Sequence, residues 1–264
     1  MAPGWGRHRA RIDGELAPVR DWLVAAVAPR PGRTVLELGA ASGDTGLAVA
    51  AAVGDGGRLI STDLTPEMVE LGRRRAEEVG AGNVEHRVMD GQRIDLPDDS
   101  VDAVVARFVV MLMEEPDAAL EGARRVLRPG GIIALSVWGP PERNPWLAVG
   151  GAVLRERGHL PPVQPGEPSP FALADSERLA GMLDAAGLVM PRVEEIAVTM
   201  SYRDAADYLV VSGELSPFGA VLRALPAGEI EELRRRVDAA LAPFRTEEGF
   251  AVPGVALGAV ATAP

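Results

Sequence analysis

The sequence predicts an α/β protein built on a doubly wound, largely parallel sheet, and three observations carry that prediction. From about residue 34 onward, short β-branched runs alternate with helical patterns, the signature of successive βαβ units. Several of the runs end in glycine, polar or aromatic residues (Glu37 with Gly39, Asp63, Asp90, Arg107 with Phe108, Trp138), as strands do when their carboxyl ends face a shared ligand crevice. The 264 residues, 47% of them hydrophobic, suffice for one large α/β domain or such a domain with a modest cap.

Residues 1–30 read as a helical segment ahead of a core over 31–202. Thr34–Leu38 is the first strand, stopped by Gly39; a glycine-containing loop leads into an Ala/Leu/Val helix over 44–53, ended by Gly54. Arg58–Thr62 is the second strand. Thr65, Pro66 and Glu67 open the next helix with an N-cap hydroxyl and a proline at the first helical position, and Gly80 closes it. Val84–Met89 forms the third strand and Val101–Val109 the fourth, introduced by the turn-rich segment 96–100. A helix over Pro116–Leu127 stops before Pro129, Gly130 and Gly131, and Ile132–Trp138 is the fifth strand. Eight prolines within 139–170 mark a loop-rich excursion around one short helix near 146–157. A helix over Ser176–Ala186 precedes the sixth strand, Arg192–Met200. Residues 203–250 are too long for a plain connection and read as a helical cap with two helical patterns, the clearer at Gly228–Leu241. Residues 251–264 read as a last buried strand, broken by Pro253, Gly254 and Gly258 and too short to span a membrane.

Composition removes several chemistries. The chain has no lysine and no cysteine, so all 27 basic side chains are arginines. That excludes a Walker A phosphate loop, a Schiff-base lysine, a thiol nucleophile, a disulfide framework and a thiolate metal site. A formal charge of −11 argues against nonspecific binding to nucleic acid. The first 20 residues carry Arg7, Arg9, Arg11, Asp13 and Glu15 and lack the apolar centre of a signal peptide, so a cytoplasmic location is expected, with no membrane partner.

The chemistry concentrates at the strand ends. Gly39 and Gly43 let the chain turn tightly before a helix whose amino terminus suits a carboxylate or phosphate. Asp63, at the end of the second strand, has the lone pairs to accept both hydroxyls of a ribose diol. Asp90, ending the third, is the right acceptor for an exocyclic purine amine. The loop is not GxGxxG, which lowers the case for a dinucleotide.

Taken together, VLELGAASGDTG (35–46), STDLTPEMVELGRRRA (61–76), NVEHRVMDG (83–91), LPDDSVDAVVARF (96–108) and ARRVLRPGG (123–131) resemble the class I S-adenosylmethionine-dependent methyltransferases, in the small-molecule branch related to ubiquinone and menaquinone methyltransferases. The resemblance runs from about residue 30 to 200. It implies a Rossmann-like, seven-stranded sheet with the last strand antiparallel, S-adenosylmethionine as cofactor and S-adenosylhomocysteine as product. By the same resemblance, Glu37, Gly39, Ala40 and Gly43 surround the methionine part, Asp63 holds the ribose, and Leu64 and Met68 flank the adenine. Asp90 takes the adenine amine with Gly91 and Gln92 beside it. Arg107 offers its backbone carbonyl to the methionine amine, with Phe108 packed nearby. Many members have glycine where this chain has Ala41.

The expected reaction is methyl transfer to a small, partly apolar metabolite, with oxygen favoured as the acceptor. The alternative is a scaffold that binds S-adenosylmethionine or catalyses a cyclisation without methyl transfer. Of the three histidines, His86 alternates with Val84 and Val88 and reads as packed, His8 lies near the amino terminus, and His159 is the candidate general base. Met111, Trp138, Trp146 and Tyr202 are the candidate acceptor-binding side chains. No metal is expected, and the oligomeric state is left open.

Overall fold

A computed structural model describes residues 2–162, 164, 166–216 and 218–264; Pro165, one of the eight prolines in the excursion, lies outside them. Its elements in chain order are α1 (Ala2–Glu15), α2 (Ala17–Val27), β1 (Thr34–Leu38), α3 (Asp44–Val53), β2 (Arg58–Asp63), α4 (Pro66–Glu78), β3 (Val84–Val88), β4 (Val101–Arg107), α5 (Pro116–Val126) and β5 (Leu127–Trp138). There follow α6 (Pro145–Glu156), α7 (Ser176–Ala185), β6 (Val189–Tyr202), α8 (Ala205–Leu215), α9 (Phe218–Ala224), α10 (Ala227–Leu241), β7 (Arg245–Thr246) and β8 (Gly249–Thr262).

The sheet runs β3-β2-β1-β4-β5-β8-β6, with the two-residue β7 paired to β8. β1 is parallel to both β2 and β4, and β4 is parallel to β5. The last strand, β8, inserts antiparallel beside β5, with Ser136 opposite Gly258 and Trp138 opposite Ala256. The expected mixed sheet with an antiparallel last strand is therefore present. From β1 the chain steps outward to β2 and β3, then returns to β4 and steps the other way to β5. Because such crossovers are right-handed, α3 and α4 fall on one face and α5 on the other, and the reversal lies between β1 and β4.

The apolar pattern explains the packing. Val35, Leu36 and Leu38 of β1 and Val104, Val105 and Ala106 of β4 are buried on both sides of the sheet, as the continuous hydrophobic runs of covered parallel strands require. In α5, Ala119, Leu120, Ala123 and Val126 form the buried stripe, at helical spacing, beside β5. Leu23 and Val27 do the same for α2, which packs against α3, β4 and β5.

Some boundaries differ from the sequence reading. β4 stops at Arg107 rather than Val109, because Phe108 turns into a left-handed conformation at φ 55°. β5 begins at Leu127 and includes Pro129, Gly130 and Gly131, which the β4 pairing accommodates by a register shift between Val101 and Ala103. β6 is longer at both ends, and among the described residues, 203–250 carry three α-helices and a short 3-10 helix (Ala242–Phe244) rather than two helices.

The chain divides into two compact units. The sheet unit comprises 17–139, 168–196 and 256–264; the helical unit comprises 1–16, 140–167 and 197–255. Within the helical unit, Tyr208, Leu233, Val237, Leu241 and Phe250 are almost wholly buried. The Gly150 N–H donates to the Tyr208 hydroxyl oxygen at 2.8 Å. The side chain of Asn144, with no exposed surface, donates to the Val255 carbonyl and accepts the Val255 N–H, both at 3.0 Å. Among the described residues, no helix is long and apolar enough to cross a membrane, and no group of acidic and histidine side chains could hold a metal.

Candidate functional site

The carboxyl ends of β3, β2, β1 and β4 lie along one edge of the sheet, with the strand order reversing between β1 and β4, and each contributes one part of a candidate site within the sheet unit. The β1 part starts with Glu37, only 3% exposed. Its Oε1 accepts the Gly46 N–H at 2.8 Å and its Oε2 accepts the Ser61 hydroxyl at 3.1 Å, so the carboxyl ties α3 and β2 to β1. Burial raises its pKa to about 7, against the opposing pull of Ser61, the Arg107 charge and Gly46. A Cβ at Gly46 would collide with that carboxyl group.

After β1 the loop contains three left-handed residues within five, Gly39 at φ 62°, Ala41 at 47° and Gly43 at 79°. Ala41 pays a steric penalty of about 1–2 kcal/mol there. The position is held because its N–H donates to Asp63 Oδ2 at 3.1 Å, while the Ala40 N–H donates to the Thr62 carbonyl at 2.9 Å. Gly39 is demanded by a neighbour as well as by its φ, since a Cβ there would run into the side chain of Val109. No side chain caps the start of α3, and Asp44 in its first turn accepts the Ser42 hydroxyl at 2.6 Å. A carboxylate in that first turn disfavours a second anion beside it, which fits a ligand bearing a cationic centre better than a diphosphate.

Asp63 ends β2 with Oδ2 toward Ala41 and Oδ1 accepting the Thr65 N–H at 3.3 Å. Each oxygen keeps a further lone pair, enough for a diol. Leu64, next in the chain, stands 64% exposed, an apolar surface that a base can cover. Thr65 caps α4 by accepting the Met68 N–H at 3.4 Å, and Met68 is half-buried. Past β3, Asp90 Oδ1 accepts both the backbone N–H of Gln92 at 2.9 Å and its side-chain amide at 3.1 Å. These two donors hold the Asp90 carboxyl below the usual carboxylate range. Gly91 lies beside Met113, where a Cβ would meet only Met113 Cε, the movable end of that side chain.

At the end of β4, Arg107 is half-buried with its charge close enough to Glu37 to act on it. Phe108 donates its N–H to the Ser136 carbonyl at 2.9 Å, and its ring stacks on Trp138 with centroids 3.9 Å apart and planes 9° from parallel. The Trp138 N–H points at Met111 Sδ, 3.4 Å away, and both residues are buried.

Glu37, Gly39, Ala40, Gly43, Asp63, Leu64, Met68, Asp90, Gly91, Gln92, Arg107 and Phe108 are thus all placed at one end of the sheet unit, together with Met111 and Trp138. The remaining three candidates belong to the helical unit. His159 Nε2 lies 2.9 Å from Glu229 Oε1, and Arg157 donates to both oxygens of the same carboxylate. Glu229 is accordingly lowered to about 2, by the hydrogen bonds of Arg157 and then of His159. Tyr202 is buried edge-to-face against Tyr208, with the Arg11 guanidinium 4.9 Å over its ring. The Trp146 indole N–H donates to Asn144 Oδ1 at 3.3 Å.

A separate depression of about 450 Å³ lies at the amino ends of β2 and β3, lined by Asp55, Arg58, Asn83 and Glu85 among others. It is at the wrong end of the strands for the crevice, and its Arg58 and Glu85 charges form an exposed ion pair. Sequence reasoning missed Val109 as the reason for Gly39 and missed the link from Gln92 to the Glu115 N–H at 2.6 Å, because neither contact leaves a local signal in the chain.

The reversal point, the left-handed loop and the two strand-end aspartates define a Rossmann-like domain shaped for a nucleoside-containing ligand. Residues 36–135 match the family model described as a methyltransferase domain. Over 128 residues the chain is 38% identical to the ubiquinone/menaquinone biosynthesis C-methyltransferase UbiE of Hydrogenovibrio crunogenus, covering 48% of this chain and 45% of that one. It is 38% identical over 112 residues to the arsenite methyltransferase of Halobacterium salinarum, covering 42% of this chain and 29% of that one. The YcgJ protein of Bacillus subtilis superposes with a TM-score of 0.64 at 20% identity, over 92% of this chain and 97% of its own. The alignments span less than half the length of these two curated relatives. Residues 36–135 thus carry a methyltransferase domain, similar in sequence to UbiE and to arsenite methyltransferase, a kind of domain whose cofactor is S-adenosylmethionine.

Proposed function

We propose that the protein transfers a methyl group from S-adenosylmethionine to a small, partly apolar metabolite, at oxygen. The observation that carries this reading is the pair of strand-end carboxylates, Asp63 and Asp90, flanking the left-handed loop at the reversal of strand order. In it, Asp63 binds the ribose hydroxyls, Asp90 the adenine amine, and Leu64 and Met68 the faces of the base. The loop 39–43 and the Arg107 carbonyl orient the methionine part, with Glu37 holding the loop's supporting strands together. When bound, the sulfonium supplies an electrophilic methyl group. The protein's contribution is to align an acceptor in line with it and to exclude water.

Oxygen is favoured because a hydroxyl acceptor gains from a general base, and His159 is set up as one: a carboxylate on one ring nitrogen fixes the tautomer and leaves the other to take a proton. Phe108, half-buried and stacked on Trp138, supplies apolar surface for the acceptor in the sheet unit, with Met111 and Trp138 packed behind it. His159→Ala is expected to lower turnover by about 100-fold while leaving cofactor affinity unchanged. The test is mass spectrometry of small phenols, alcohols, amines and activated ring carbons incubated with the protein and isotopically methyl-labelled cofactor. Label on an acceptor oxygen supports the proposal; label on carbon or nitrogen corrects the acceptor atom; bound cofactor with no labelled product in any class contradicts methyl transfer.

A further inference from the structure

Gln92 is engaged at both ends of its side chain. Nε2 donates to Asp90 Oδ1 at 3.1 Å and Oε1 accepts the Glu115 N–H, just ahead of α5, at 2.6 Å. These partners dictate the orientation of the amide: a carboxylate only accepts and a backbone N–H only donates, so a flip would break both bonds. The Gln92 backbone N–H adds a second donor to the same Asp90 oxygen at 2.9 Å. Asp90 Oδ1 is therefore pinned from one side, and Oδ2 takes no part in that bonding. The same two segments also lie side by side at Gly91 and the end of the Met113 side chain. The turn after β3 and the segment before α5 are thus joined by the Gln92–Glu115 bond.

We infer that Gln92 is a positioning residue for base recognition: by holding Oδ1 of Asp90 it presents Oδ2 as a fixed acceptor, and the Glu115 N–H holds Gln92 in turn. A fixed carboxylate reads a base by what faces it. An exocyclic amine donates to it, whereas a carbonyl at the same position meets it oxygen to oxygen and leaves both groups unsatisfied. A carboxylate free to rotate loses part of that discrimination. The inference rests on the cofactor reading proposed above and goes beyond it in assigning the selection of adenine to a side chain that is itself fully engaged within the protein.

The test is calorimetric titration of the full chain with S-adenosylhomocysteine and with S-inosylhomocysteine, which carries a carbonyl in place of the amine. Gln92→Met keeps the side chain's length and removes both bonds; Gln92→Glu keeps the acceptor for Glu115 and removes the donor to Asp90. The wild type is expected to prefer the adenine ligand by at least about tenfold, and both variants, with melting transitions close to wild type, to lose most of that ratio. A general structural weakening would lower both affinities together and leave the ratio intact, so a wild-type ratio in both variants overturns the inference. Loss in the methionine variant but not in the glutamate variant would assign the effect to the Glu115 link and overturn the donor role. A wild type that binds neither ligand would remove the cofactor reading, and this inference with it.

Discussion

At the scale of single residues, Asp63 and Glu37 do opposite kinds of work with the same functional group. Asp63 stands at the end of β2 with lone pairs to spare, and Asp63→Ala is expected to weaken S-adenosylmethionine binding by about tenfold or more, since hydrogen bonds to a charged acceptor are lost. A calorimetric affinity equal to wild type would remove the ribose contact. Glu37 is buried with both oxygens occupied, and its effect is on stability. The folded protein holds its proton up to about pH 7, whereas the unfolded chain releases it near 4.5. Native protein thus binds more protons than unfolded protein between those values. The stability that Glu37 contributes is complete below about 4.5, declines as the pH rises, and is lost above about 7, a change of roughly 3 kcal/mol. Glu37→Gln imitates the protonated carboxyl and should flatten this slope. Urea unfolding at pH 5 and pH 8 measures it, and equal slopes in variant and wild type would contradict the assignment.

At the scale of elements, the loops after β1 and β4 fit each other as much as they fit a ligand. Gly39 is left-handed and lies against Val109, so Gly39→Ala combines strain at φ 62° with a collision. We expect a loss of about 2 kcal/mol or more in urea unfolding, partly recovered by Val109→Ala in the same chain. No recovery would mean that the backbone conformation alone requires glycine. This interlock also shows where the sequence was readable. β1 and β2 were legible as short runs with apolar cores ended by Gly39 and Asp63, and β3 by the valines Val84 and Val88 ahead of Asp90; the two aspartates were legible by the same strand-end position. The start of β5 was not, since Pro129, Gly130 and Gly131 read locally as a break while β4 absorbs them with a register shift. Likewise nothing around Phe108 announces its left-handed turn, which is sustained by the Ser136 carbonyl and the Trp138 ring. Contacts between residues remote in the chain decide such details, and periodicity does not encode them.

At the scale of the whole molecule, the charge of −11, with no lysine, sets the partners the surface can attract. Duplex DNA should show no mobility shift with this protein at about 0.15 M salt; a shift would contradict the small-molecule assignment. In the proposed reading, Asp44 at the start of α3 and Asp63 and Asp90 at the strand ends suit a ligand that brings a sulfonium and an ammonium. The most direct test of the account is calorimetric titration of the cofactor-stripped protein with S-adenosylmethionine and with S-adenosylhomocysteine. The account predicts saturable binding of both at micromolar concentration, about 8 kcal/mol, weakened by Asp63→Ala. Absence of binding by either ligand to the folded wild-type protein would contradict it.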